Sequence, residues 1–236
     1  MPKPINITKR ENERKVLPTA RSQYRWVFWD WNGTLLDDCD YAISVRNRIF
    51  PSFGLPTVES VDDYHEQFTF PVKIYYERAG VTDENFIAVA NAWMDEYMRG
   101  AESIPLHPDA LVALHAFQDA GLSQVLLSAS DKKVLFQQLS YYGIEPFFSA
   151  VLGLNHIYAT SKLELGNTYI SEHGIPPSEC VLLGDTLHDA EVSNKMGIDC
   201  ILIARGHQSE KALRMAGVPV LGQLTAAVKW MLPISP

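Results

Sequence analysis

The sequence predicts an α/β fold, an open parallel sheet wound through helical crossovers, on three observations. Four short apolar runs, at 26–29, 124–127, 180–183 and 200–203, lack polar alternation, as strands buried on both faces do. Helical patterns sit between the later runs, at 108–120, 132–142, 162–173 and 189–196. Each pattern closes on a glycine (Gly121, Gly143, Gly174, Gly197), the expected left-handed cap past a helix end.

In chain order, residues 1–25 come first as a basic N-terminal extension. They hold seven Lys/Arg (Lys3, Lys9, Arg10, Arg14, Lys15, Arg21, Arg25) against Glu11 and Glu13, and read as a solvated tail. The first strand ends at Asp30, where Trp31-Asn32-Gly33-Thr34 breaks the apolar run. Residues 38–105 interrupt the strand–helix alternation with helical stretches at 41–50, 72–79 and 84–99 and no buried strand, so they are expected to form a helical insert over the Asp30 turn. Pro105 and Pro108 mark the return. The predicted division is therefore a tail at 1–25, a core at 26–37 and 106–236, and an insert at 38–105.

Composition bounds the function. The chain has 236 residues, 47% of them hydrophobic, which is enough for a sizeable core and argues against disorder. A net charge of −8 disfavours a nucleic-acid partner. Cys39, Cys180 and Cys200 show no CxxC spacing and read as reduced thiols. No N-terminal apolar core suggests a signal peptide, and no run of about 18 apolar residues suggests a membrane span, so a cytoplasmic protein without membrane contact is expected. A monomer or homodimer is the expected state.

In open α/β sheets ligands bind at the carboxyl ends of the strands. Three strands here end in groups suited to phosphate chemistry: Asp30-Trp31-Asn32-Gly33-Thr34, Ser128-Ala129-Ser130, and Gly184-Asp185-Thr186-Leu187-His188-Asp189. Lys162 lies between the second and third, at a helix start. Taken singly, each has a plain reading: an aspartate after a strand is a turn former or helix cap, and a lysine is a surface residue. Taken in order, they allow more. Asp30 is able to attack phosphorus and split one hard step into two. A carboxylate approaching a phosphate dianion is repelled, so cations are required. Mg²⁺ held by Asp30 and Asp185 with an oxygen of Asn32 fits a hard ion with few protein carboxylates. Lys162 adds a positive charge, and Ser128 with nearby backbone N–H groups would bind the phosphoryl oxygens.

The stretches WDWNGTLLDD, VLLSAS, SKLELG and LLGDTLHDAE resemble the four motifs of the haloacid dehalogenase-like hydrolase superfamily. More narrowly they are similar to its phosphoglycolate phosphatase-like branch, with the match running from about residue 25 to 232. The resemblance implies a Rossmann-like parallel sheet core with an inserted α-helical cap domain. It also implies Mg²⁺-dependent hydrolysis of a small phosphorylated metabolite through an aspartyl-phosphate. Carried over residue by residue, Asp30 is nucleophile and metal ligand, Asn32 gives its backbone carbonyl to the metal, and Asp185 is a metal ligand. Ser128, Ala129, Gly33, Thr34 and Lys162 bind phosphate, with Thr186 and Asp189 in support.

One position departs from the pattern. Phosphatases of this family carry aspartate where Asn32 stands, and that aspartate moves the proton of the leaving oxygen. An amide cannot, and general acid–base help is worth about 10² to 10⁴-fold. Three expectations follow: a phosphatase limited to good leaving groups, a replacement proton carrier, or a binder of phosphorylated ligands with weak or no turnover. His188 is the candidate carrier, since its ordinary pKa suits neutral pH. His107, His156 and His207 lack metal-ligand spacing and read as structural. In the insert, the Phe68–Phe70 segment offers aromatics that pack cap helices, and Lys73 or Arg46 is a candidate partner for a substrate anion. Dehalogenation is not expected, because no arginine follows the first strand's turn to take up a halide.

Overall fold

The computed structural model describes residues 23–154 and 161–232. The basic extension, apart from its last three residues, and His156 lie outside them. Six strands form one parallel sheet: β1 (Trp26–Trp29), β2 (Ser123–Asp131), β3 (Ala150–Leu154), β4 (Cys180–Gly184), β5 (Asp199–Ile203) and β6 (Val220–Leu221). Their spatial order is β3-β2-β1-β4-β5-β6, so the winding reverses between β1 and β4. This is the Rossmann-like order, and it places a crevice at the carboxyl ends of those two strands.

Ten helices accompany the sheet among the described residues. Between β1 and β2 come α1 (Cys39–Ile49), α2 (Val61–Gln67), α3 (Val72–Arg78), α4 (Phe86–Gly100) and α5 (Ala110–Asp119). After β2 come α6 (Lys132–Tyr142), α7 (Lys162–Glu172), α8 (Leu187–Met196), α9 (Glu210–Leu213) and α10 (Leu224–Met231). Side chains of β1 alternate between two cores. Val27 and Trp29 join Leu126, Leu183, Leu114 and Phe117 on one face. Phe28 joins Val125, Leu127, Leu182 and Val192 on the other. Every residue of β4 is buried, which is why the run CVLLG carries no alternation.

A third apolar cluster lies within α1–α4, where Phe50, Tyr64, Tyr75, Tyr76 and Val89 pack together away from the sheet. Two chain segments join this helical part to the rest: Asp37 N–H donates to Pro105 O (2.9 Å) and His107 N–H to Leu35 O (2.9 Å). Four elements differ from expectation. β2 runs on through Ser128 and Ser130 to Asp131, with a register irregularity against β3 after Leu127. β3 and β6 were not expected, because one carries a glycine amid five residues and the other has only two residues. The short α2 was also missed; its sequence VDDYHEQ buries a single residue, Tyr64, and so lacks an apolar stripe.

Candidate active site

Asp30 follows β1 directly, and its N–H donates to Leu183 O (2.9 Å), extending the ladder one residue beyond the strand. The next residues wrap tightly: the N–H groups of Thr34, Leu35 and Leu36 all reach Trp31 O, and Gly33 N–H reaches Leu36 O. Gly33 adopts φ 73°, a left-handed conformation that suits glycine. A Cβ there, or at Gly206, would collide with the Asp185 carboxylate. Two glycines thus open the space into which Asp185, at the end of β4, projects.

The capping box at the start of α7 (Ser161 with Glu164) sets Lys162 in the first turn, pointing inward and 4% exposed. Its Nζ lies 2.5 Å from Asp30 Oδ1 and 2.6 Å from Asp189 Oδ1. Asp189 is itself fixed by a capping box, its Oδ2 accepting from Thr186 N–H (3.0 Å) and Thr186 Oγ1 (2.6 Å). Thr34 Oγ1 bridges Asp30 Oδ2 (3.2 Å) and Asp185 Oδ1 (3.3 Å). Carboxylate oxygens of Asp30, Asp185 and Asp189 lie within 4.8 Å of one another, all buried.

Three buried carboxylates therefore cluster around one ammonium, which pairs with Asp30 and Asp189. Burial pushes the Asp30 carboxyl up to about 6, with Asp189 adding to the rise and Lys162 opposing it. Burial pushes Asp185 well above the carboxylate range, and its neighbours Asp30 and Asp189 push the same way against the pull of His207. Burial also lifts Asp189, but Lys162 and Thr186 outweigh it and hold that group low. This shortage of positive charge, in an all-oxygen donor set, fits a divalent hard cation.

The Asn32 amide is fully engaged. Its Nδ2 donates to Asp38 Oδ2 (2.8 Å) and Tyr97 OH (3.0 Å), and its Oδ1 accepts from Ser130 Oγ (2.8 Å). Asp38, at the start of the helical part and 2% exposed, also accepts from Tyr97 OH (2.7 Å), Gly33 N–H (2.7 Å) and the His207 ring (3.1 Å). Burial raises the Asp38 carboxyl, yet His207, Asn32 and Tyr97 together hold it below its ordinary value. His207 N–H donates to Asp185 Oδ2 (2.6 Å), and its Nδ1 meets Tyr64 OH of α2 (2.9 Å). His207 is therefore part of the site's wall, where spacing alone read it as structural. Asp38, Tyr97 and His207 were missed as site residues, and Ser130 was named only as part of the second strand end, without a role. The second aspartate of the LLDD run was the local signal for Asp38.

The expected residues fall in two groups. Asp30, Asn32, Ser128, Ala129, Lys162, Asp185, Thr186, His188 and Asp189 all line one cavity of about 580 Å³, and Gly33 and Thr34 lie beneath it in the Asp30 turn. Ser128 Oγ accepts from Ser130 N–H (3.1 Å). His188 makes no hydrogen bond to Asp30 or Asn32; its ring stacks on Phe70 (4.7 Å between centroids, 18° between planes), and burial lowers its pKa. Lys73 and Arg46 form the second group, away from the cavity wall. Lys73 is exposed and paired with Asp83 (2.7 Å). Arg46 is fully buried beneath Phe50 and Tyr75, donating to Gln67 Oε1 (2.7 Å) and Tyr75 OH (3.1 Å). Phe68 also departs from a role within the cap alone, since its ring packs on His207 (5.2 Å) as well as on Tyr75 (5.3 Å).

With that geometry in place, comparison with known proteins is informative. Residues 27–203 match the model of the haloacid dehalogenase-like hydrolase family. Phosphoglycolate phosphatase of Synechococcus elongatus is 20% identical over 187 residues, 79% of this chain and 87% of that protein. Among solved structures, a haloacid dehalogenase-like family hydrolase from Streptococcus pneumoniae superposes with a TM-score of 0.77 at 16% identity, covering 88% of this chain and 98% of that one. Protein Tyrosine Kinase A of Mycobacterium tuberculosis superposes at 0.75 and 19% identity, covering 89% and 99%. Likenesses this distant show the fold alone, but the family model spans most of the core, both strand-end aspartates and the helical part between them. The chain belongs to the haloacid dehalogenase-like hydrolase family.

Proposed function

We propose that this protein is a Mg²⁺-dependent phosphatase of the phosphoglycolate phosphatase-like branch, hydrolysing a small phosphate monoester through an aspartyl-phosphate on Asp30. The observation that carries this reading is the buried cluster at the β1/β4 switch point, with Lys162 salt-bridged to Asp30 and Asp189, and Asp185 beside them. A resident Mg²⁺, held by Asp30, Asp185 and the Asn32 backbone carbonyl, would supply charge neutralisation for the incoming phosphate. Asp30 attacks phosphorus and the bond to the leaving oxygen breaks. Lys162 balances the charge that gathers on the phosphoryl group, while Ser128 and Ala129 offer hydroxyl and backbone donors around it; the donors of Gly33 and Thr34 are spent within the turn and on the carboxylates, so these two residues shape the site. Water then attacks phosphorus and frees the carboxylate. Thr186 and Asp189 hold Lys162 in place. Residues 38–105 serve as a cap that excludes water from this chemistry, with boundaries at the paired segments near Asp37 and Pro105.

Release of phosphate from p-nitrophenyl phosphate with Mg²⁺ tests the reading, wild type against Asp30→Asn. Loss of at least ~10³-fold in the variant is expected, and equal rates would overturn it. Equal rates with retained phosphate binding would point instead to a binder of phosphorylated ligands, the reading that Asn32 alone favours.

A further inference from the structure

We propose that the substrate is a small aryl phosphate, whose leaving oxygen is carried directly by an aromatic ring; this rests on the phosphatase reading of the same site. Two independent observations converge on it. The first is the cavity wall facing the Asp30 cluster. Phe68, Phe70, Tyr76, Phe86, Trp93 and Tyr97 line it, all from the helical part between β1 and β2. Phe68, Phe70, Phe86 and Trp93 are only partly buried, which leaves ring surface free for a ligand. No Lys or Arg lines the cavity among the described residues apart from Lys162, whose ammonium is already shared by two carboxylates. Of the two histidines that also line the cavity, the His207 ring is engaged by Asp38 and Tyr64 and His188 stacks on Phe70, so a carboxylate-bearing substrate such as phosphoglycolate finds no uncommitted cationic partner there, whereas an aromatic ring finds stacking partners.

The second observation is the closed hydrogen bonding of Asn32. Both N–H groups of the amide are committed, to Asp38 and Tyr97, and Ser130 and Tyr97 spend their hydroxyl protons on Asn32 and Asp38. Each of these donors is committed within the network. When Asp30 attacks phosphorus, the P–O bond therefore breaks with the electron pair leaving on oxygen, which takes its proton from water afterwards. A phenol has a pKa of about 10, while water itself stands at about 15.7 and simple alcohols lie close to it. An aryloxide departs as an anion; an alkoxide needs a proton in the same step. Water then attacks phosphorus, the bond to Asp30 breaks, and inorganic phosphate is released with the carboxylate restored. The aromatic wall and the committed donors around Asn32 thus select the same class of ester, one through binding and the other through chemistry.

The test separates binding from turnover in the full-length protein with Mg²⁺. Binding is read by calorimetry with phenylphosphonate and methylphosphonate, which cannot be hydrolysed, and with phosphonoacetate, which carries the carboxylate. Phenylphosphonate is expected to bind at least about tenfold more tightly than either. Trp93→Ala should weaken phenylphosphonate about tenfold and Trp93→Phe, which keeps a ring, should restore most of it. Turnover is read as phosphate release from phenyl phosphate, benzyl phosphate and phosphoglycolate. Phenyl phosphate should exceed benzyl phosphate, of similar shape but poorer leaving group, by at least about 10²-fold in kcat. Equal binding of the three phosphonates, or kcat/KM for phosphoglycolate above that for phenyl phosphate, would overturn the aryl assignment while leaving the phosphatase reading standing. Tight, ring-selective phosphonate binding with no turnover above Asp30→Asn would overturn the phosphatase reading and support the ring-binding half alone.

Discussion

Asn32→Asp restores the residue that family phosphatases carry, yet the structure predicts that the single change is costly. In the native site the amide Nδ2 donates 2.8 Å to Asp38 Oδ2 and 3.0 Å to Tyr97 OH. A carboxylate at position 32 loses both donors and faces a buried carboxylate at hydrogen-bond distance. Losing one bond to a charged acceptor and one to a neutral hydroxyl amounts to about 3 kcal/mol. For a chain of this length that is roughly 6 to 12 °C in Tm. The deficit depends on pH. Two facing carboxylates share a proton, so the pair's folded pKa is raised above its unfolded value near 4, and stability is present at low pH and lost as pH rises. Differential scanning fluorimetry should therefore find Asn32→Asp close to wild type near pH 4.5 and well below it at pH 8. The exchange Asn32→Asp with Asp38→Asn puts an amide opposite a carboxylate again and should recover more than half of the loss at pH 8. It should also raise kcat for benzyl phosphate by ~10² or more, because the new carboxyl group is positioned to move a proton. An Asn32→Asp protein as stable as wild type at pH 8, or a double variant no more stable than the single one, would refute this account of the Asn32–Asp38 pair.

Other consequences follow from the same structure. Mg²⁺ at about 100 times its Kd should raise the melting temperature by roughly 5 to 11 °C, and Asp185→Asn should abolish most of that shift, whatever the activity. Arg46→Ala should cost about 3 kcal/mol in urea unfolding, since it leaves Tyr75 OH and Gln67 unpaired and opens a void beneath Phe50. Burial raises the Asp109 carboxyl, but the Thr225 N–H and hydroxyl and Arg205 outweigh it and hold it low. A lowered folded pKa contributes stability above about pH 4 that fades as pH falls, so Asp109→Asn should be about 1 kcal/mol less stable than wild type at pH 7 and equal to it below pH 3.

The strand-end chemistry was legible because it is local. Asp30, Ser128 and Asp185 each stand at the end of an apolar run, and parallel strands bring such ends to one edge whatever lies between them. The cap's aromatic character was visible too, in the Phe68–Phe70 segment. What those rings face was not. His207 reaches Asp38 across 169 residues of sequence, and Tyr97 reaches it across 59. No periodicity encodes such a pairing; it follows from how α4 and the loop after β5 fold over the Asp30 turn. The same limit explains Lys73 and Arg46, whose charge suggested an anion site. The fold turns one out to Asp83 and seals the other inside the cap's own core.

On the proposed mechanism Asp30 carries the phosphoryl group during turnover. Acid quench of the enzyme with phenyl phosphate and Mg²⁺, followed by borohydride reduction and peptide mass spectrometry, reads this directly, because an aspartyl-phosphate is reduced to homoserine. Conversion is expected at Asp30, dependent on substrate and confined to that residue. Steady phosphate release with Asp30 unmodified, or modification at another carboxylate, would contradict it.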